Sequence, residues 1–193
     1  LAWQGGSIVP FADARVSVAD RGLLFGESVY EVLPITGGRV RWQAPHFARM
    51  REGAAAIGID APAWLDDDAT WPAALVDAER VHEGLLYLQL TGGTAPRAHL
   101  ARATPELFAF ATPHAFPDAA RRARGFTARC LPELRWLRRD LKTTMLLPSI
   151  LGKRAAQADG ADEVLWLDAD DHVLEGGSSN VAIVEHGVVL TQI

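Results

Sequence analysis

The chain has 193 residues, 49% hydrophobic and 22% charged, with a formal net charge of −5, the composition of an ordinary globular protein long enough for one domain or two small ones. The acidic balance gives no basis for binding nucleic acid or an anionic membrane surface, which leaves small molecules as the expected partners. No apolar run approaches the roughly 18 residues that span a bilayer, and a single cysteine, Cys130, excludes an internal disulfide and fits a reducing, cytoplasmic setting.

The first residues, Leu1 to Gly6, carry neither a basic segment nor an apolar core, so no secretory signal is expected. The first residue is not Met, and some N-terminal residues are expected to be missing. Val16 to Val18 reads as a short extended piece that ends in a polar turn, Ala19-Asp20-Arg21-Gly22. Val29 to Ile35 is a strand, and Gly37-Gly38 makes a hairpin turn into Arg39 to Trp42. From Pro45 the apolar spacing turns helical, through Phe47, Met50, Ala54 and Ile57, and closes at Gly58. Pro72 opens a second helix that Gly84 is expected to end, followed by strands over Leu85 to Thr91 and Glu106 to Thr112.

Pro113 to Arg124 reads as a linker or short helix between two lobes. Beyond it come a strand from Gly125 to Leu131, a helix from Pro148 to Gly160, and strands at Glu163 to Leu167, Val181 to Val184 and Val188 to Leu190. Hairpins first and alternating elements later give a mixed α/β fold, with lobes over residues 1–115 and 116–193.

Of the 19 basic residues only Lys142 and Lys153 are lysine. Arginine can stand for lysine as a surface charge but not as an amine nucleophile, because its guanidinium stays protonated. The lysines therefore narrow the search for chemistry. In Asp140-Leu141-Lys142-Thr143-Thr144 the amine follows an irregular stretch and precedes a helix, close to Arg135, Arg138 and Arg139, which would favour its neutral form if it is buried. The ordinary reading is a solvated lysine paired with Asp140.

Glu175-Gly176-Gly177-Ser178-Ser179-Asn180 sets a carboxylate at a strand end beside exposed backbone N–H groups, a place for a phosphate, or else a plain Gly-Ser turn. Pro96-Arg97-Ala98-His99 reads as extended, so that alternate residues Arg97 and His99 converge on one carboxylate; the ordinary reading is a surface loop. Tyr30 either turns its hydroxyl toward a site or packs in the sheet. His46 and Arg49 share one helical face, suited to a phosphate or simply solvated.

Taken in order, these segments resemble the class IV aminotransferases. Asp20-Arg21-Gly22, Phe25-Gly26 and Val29-Tyr30-Glu31 resemble the N-terminal signature; Leu134 to Thr143 resembles the segment with the cofactor-binding lysine; Glu175 to Asn180 resembles the Glu-Gly-x-x-Ser-Asn loop. The resemblance implies a two-lobed fold-type IV enzyme that uses pyridoxal 5'-phosphate and forms a homodimer, with no metal. It implies that Lys142 holds the cofactor as a Schiff base and carries the proton between Cα and C4′. Glu175 would pair with the ring nitrogen, Arg135 with the ring O3′ and Arg49 with the phosphate, with Ser178 and Ser179 also on the cofactor. Tyr30, Arg97 and His99 would hold the substrate α-carboxylate.

Pro96 to His99 and Leu134 to Arg138 are most similar to D-amino-acid aminotransferases, which implies exchange between a D-amino acid and a 2-oxo acid in two half-reactions. The alternatives are an aminodeoxychorismate lyase, a branched-chain L-aminotransferase and a truncated, non-catalytic paralogue. Glu27-Ser28 departs from the usual Asp-Gly pair. Family members continue past the equivalent of Ile193, with a Gly-Ile-Thr segment and a further threonine at the phosphate. The second lobe is therefore expected to be incomplete here and the chain to be part of a longer enzyme.

Overall fold

The computed structural model describes residues 1–191; Gln192 and Ile193, the end of the expected second lobe, lie outside the described residues. The chain forms two compact units, Leu1–Phe116 with Arg139–Thr144, and Pro117–Arg138 with Met145–Ile193. The expected lobes are 1–115 and 116–193; the units meet instead between Phe116 and Pro117, and the short segment with Lys142 is counted in the first.

In the first unit, strands β1 (Ala2–Gln4), β2 (Ser7–Val9), β3 (Ser28–Thr36), β4 (Arg39–Val40), β5 (Glu83–Thr91) and β6 (Glu106–Pro113) make one antiparallel sheet in the order β2-β1-β6-β5-β3-β4. The β1–β2 hairpin was absent from the sequence reading, because three-residue strands are too short to show an alternation. Along β3 the inward series is Val29, Glu31, Leu33 and Ile35, each at most 1% exposed. Helix α1 (Arg21–Phe25) comes before this strand, and α2 (Gln43–Ala56) and α3 (Trp71–Glu79) follow its hairpin. Phe47, Met50 and Ala54 of α2 and Leu75 and Val76 of α3 close the core, each large side chain contributing about 1.5–3 kcal/mol by burial.

Asp20-Arg21-Gly22 is not a plain turn: the Asp20 carboxylate accepts from Leu23 N at 3.0 Å and caps α1. Nor does Gly84 end α3, which stops at Arg80 in the left-handed conformation, φ 56°. Gly84 lies inside β5, where a Cβ would meet the Thr112 carbonyl oxygen at 2.3 Å.

The second unit contains α4 (Ala119–Arg124), β7 (Ala128–Pro132), α5 (Leu147–Ala158), β8 (Glu163–Leu167), β9 (Val173–Gly176), β10 (Ala182–Glu185) and β11 (Val188–Thr191). Strands β7 and β8 pair in parallel, with α5 between them in sequence, and β9 joins β8 antiparallel. Val164, Trp166, Leu174 and Ala156 form its core. Gly152 lets α5 approach β8, since a Cβ there would lie 2.5 Å from the Trp166 ring. Strands β10 and β11 are a separate hairpin turned by His186 and Gly187, both at positive φ. The architecture is the expected mixed α/β.

Candidate active site

The short strand β4 pairs only with Ile35 and Thr36 of β3, so the other end of that edge carries unpaired backbone groups. Residues 142–144 fill it. Tyr30 N donates to Lys142 O at 3.0 Å, Thr144 N donates to Ser28 O at 3.3 Å, and Val29 bridges Thr143. The Ser28 hydroxyl adds a bond to Thr144 Oγ1 at 2.7 Å. Lys142 is thereby fixed by its own main chain rather than sitting on a loop tip, and its Nζ lies 4.3 Å from the Tyr30 ring centroid, within cation–π range.

Behind that ring, Tyr30 stacks on Tyr87 with centroids 5.8 Å apart, and Tyr87 stacks on Phe110. Burial, reinforced by Tyr30, pushes the Tyr87 phenol up to about 12. Its hydroxyl donates to Gln89 Oε1 at 2.8 Å, and Gln89 Nε2 donates to Ser28 Oγ at 3.0 Å. A line of hydrogen bonds therefore runs from Tyr87 through Gln89 and Ser28 to Thr144.

His46 and Arg49 do share one helical face, but what they meet is Glu31. Arg49 donates from Nε and Nη2 to the two oxygens of this wholly buried carboxylate at 2.5 and 2.6 Å, and His46 Nδ1 lies 2.8 Å from Oε2. Hydrogen bonding to Glu31 raises the Arg49 pKa above its ordinary value. A carboxylate in the inward series of β3 was missed at the sequence level, although a Glu in an alternating apolar run is itself a signal of a buried partner.

Arg97 and His99 come together as expected but not by strand alternation. Ala98 N donates to Pro96 O at 2.6 Å, which makes a tight turn at Arg97. Both side chains lie on Phe25, Arg97 Cζ at 5.6 Å from the ring centroid and the His99 ring at 5.3 Å. Of the expected trio, Tyr30 packs against Lys142, and Arg97 and His99 against Phe25. Arg21, whose role no local pattern signals, donates to Ala98 O at 2.8 Å and His99 O at 2.9 Å, and pairs with Glu27.

In the second unit Arg135 pairs with both Glu133 and Glu175, so the two residues expected at different atoms of one ring are joined directly. The loop after Glu175 also departs from expectation. Two of its amides are not open donors: Gly176 N donates to Ser179 O at 2.8 Å and Gly177 N to Val164 O at 3.0 Å. Ser178 accepts a hydrogen bond from Lys153 Nζ, and Ser179 donates to Glu163 Oε2 at 3.0 Å. Lys153 and Glu163 were missed; being the other lysine was the available signal for the first.

Chemically the first unit offers an amine (Lys142), a carboxylate (Glu31) and guanidinium groups (Arg49, Arg97), and the second, taken by itself, a carboxylate (Glu175), a guanidinium (Arg135) and hydroxyls (Ser178, Ser179). These donors fit a phosphorylated pyridine aldehyde, which needs an amine for its carbonyl, an acid for its ring nitrogen and cations for its phosphate. The pairing of the Lys142 main chain with β3, which sets its amine against the Tyr30 ring, is the structural observation behind that fit. Among the described residues no cluster of His, Cys, Asp or Glu is arranged to hold a metal ion, and no helix is long and apolar enough to cross a membrane.

A profile of the family described as Amino-transferase class IV matches residues 28–192. The chain is 36% identical over 188 residues to D-alanine aminotransferase of Bacillus licheniformis, covering 96% of this chain and 66% of the relative. It is 30% identical over 189 residues to D-alanine aminotransferase of Staphylococcus aureus strain MSSA476, with the same shares. The chain spans 66% of the length of these curated relatives. Among solved structures it is similar to a branched-chain aminotransferase from Thermoproteus uzoniensis, with a TM-score of 0.84, 24% identity, and 98% of this chain and 67% of that one covered. It is also similar to a 4-amino-4-deoxychorismate lyase from Pseudomonas aeruginosa, with a TM-score of 0.78, 27% identity, and 99% and 70% covered.

Proposed function

Because the chain belongs to the class IV aminotransferase family, we propose that it serves a pyridoxal-phosphate-dependent exchange of amino groups between a D-amino acid and a 2-oxo acid, in two half-reactions. The observation that carries this reading is the docking of residues 142–144 on the open edge of β3, with the Lys142 amine against the Tyr30 ring. Likeness to relatives named for D-alanine supports the choice of donor.

The cofactor, when bound, supplies the electron sink that stabilises negative charge at the substrate Cα. Lys142 would hold the cofactor, and its amine would take up the proton released from the substrate Cα. Arg49 serves the phosphate, Glu175 keeps the ring nitrogen protonated, Arg135 serves the ring O3′, and Ser178 and Ser179 line the same group. Tyr30, Arg97 and His99 hold the α-carboxylate, and fixing that group on one side determines which enantiomer presents its Cα–H to Lys142. A homodimer and a cytoplasmic location belong to the same proposal, the first supported by the family resemblance and the second by the lone cysteine, Cys130.

The test is to supply the full protein with pyridoxal phosphate and offer D-alanine with 2-oxoglutarate. Glutamate should form with D-alanine and not with L-isoleucine. Borohydride should fix the cofactor to the wild type but not to Lys142→Ala, whose turnover should fall by at least about 100-fold. Turnover of L-isoleucine instead, or pyruvate released from aminodeoxychorismate with no 2-oxo acid needed, would refute the D-transaminase reading.

A further inference from the structure

Arg21 occupies a place that its charge disfavours twice. It is the first residue of α1, where the helix dipole repels a cation, and it is only 5% exposed, where an ion needs full pairing. Its partners explain the placement. The guanidinium reaches the Glu27 carboxylate and the adjacent carbonyls of Ala98 and His99, and its Cζ lies 5.1 Å from the centroid of Phe25, the ring that also carries Arg97 and His99.

The path to these carbonyls is zipped in stages. Thr91 Oγ1 donates to the capping residue Asp20 at 2.6 Å, Arg21 N donates to Gly93 O at 2.9 Å, Gly92 N donates to Glu27 O at 2.9 Å, and Asp20 bridges Thr94. Past Ala95 the main chain leaves this ladder and residues 96–100 are exposed. There the hold passes to the Arg21 side chain. The two carbonyls belong to the peptides on either side of His99, the first of them one residue past Arg97, so a shift of the guanidinium moves the backbone that carries both side chains.

We propose that Arg21, braced by Glu27, is a positioning residue that sets the geometry of the Arg97–His99 pair for the substrate carboxylate. This rests on the reading that Arg97 and His99 bind that carboxylate. A planar guanidinium is required because one ammonium is a point charge that cannot span two carbonyls and a carboxylate in one plane.

The experiment uses the full holoprotein in four forms: wild type, Arg21→Lys, Glu27→Gln and Arg97→Ala. Arg21→Lys should raise KM for D-alanine and for the 2-oxo acid roughly 10- to 100-fold while kcat changes far less. Hydrogen exchange should quicken at the Ala98 and Ala101 amides but not within β3 or β5, and cofactor absorbance should persist. Glu27→Gln, which retains shape if the lysine variant does not fold, should move the same readouts in the same direction by less. An unchanged KM in both variants, or a fall in kcat alone, overturns the proposal while a raised KM in Arg97→Ala leaves the carboxylate reading standing. An unchanged KM in Arg97→Ala overturns that reading and the positioning role with it.

Discussion

Ser28 and Thr144, 116 positions apart in the sequence, share a hydroxyl–hydroxyl hydrogen bond of 2.7 Å that ties the start of β3 to the segment carrying Lys142. Ser28 is wholly buried and also accepts from Gln89. Replacing it with alanine strands the Gln89 amide and the Thr144 hydroxyl, at a cost of about 1–3 kcal/mol. Denaturant unfolding of Ser28→Ala should register that loss, with faster hydrogen exchange at the Tyr30 and Thr144 amides. Unaltered exchange at both positions would mean that the hydroxyl pair does not hold the lysine segment.

Arg49 neutralises a carboxylate that has no exposure of its own. Arg49→Ala should lower stability by about 3 kcal/mol, because a buried charge loses its main partner, and Arg49→Lys should recover only part, since one ammonium cannot make both bonds. The folded-state pKa of Arg49 is raised, so its contribution is fully present at neutral pH and lost only in strong alkali. The deficit of Arg49→Ala should accordingly stay level between about pH 8 and pH 10. Urea midpoints for the three proteins at several pH values provide the check.

Burial, reinforced by Tyr30, pushes the Tyr87 phenol up from its ordinary 10.0 to about 12. A group with a raised folded pKa stabilises fully below its unfolded value and loses that contribution as pH climbs through the folded one. Stability should therefore fall between pH 10 and pH 12, and Tyr87→Phe should flatten that slope. With two tyrosines in the chain, absorbance titration of the same variant identifies the late-ionising phenol; two unshifted phenols would contradict the expectation.

Trp166 is fully buried, and among the described residues its Nε1 has no hydrogen-bond partner. A buried unpaired donor is a liability, so Trp166→Phe trades lost volume against relief of that N–H. Its unfolding midpoint should fall by less than that of Trp166→Ala, for which about 3–5 kcal/mol is expected. Equal losses in the two variants would show that the indole nitrogen carries no penalty.

Much of the fold was legible because its signals are local. The alternation of Val29 to Ile35, the paired glycines at 37 and 38, and the spacing of Phe47, Met50 and Ala54 each name an element within one stretch of chain. The β1–β2 hairpin was too short to declare itself, and the end of α3 was read at the wrong residue because Arg80, not a glycine, adopts the left-handed turn.

The sequence by itself determined the residue types of the candidate site, their order and the family, since lysine cannot be replaced as an amine and the motifs are collinear. Tertiary structure decided who partners whom: Lys142 with the β3 edge, Arg49 with Glu31, Arg135 with Glu175, and Arg21 with the carbonyls of Ala98 and His99. The Ser28–Thr144 pair that docks the lysine segment joins residues 116 positions apart. No periodicity encodes such a contact, because burial in the folded chain is what makes each buried charge or open strand edge require a partner.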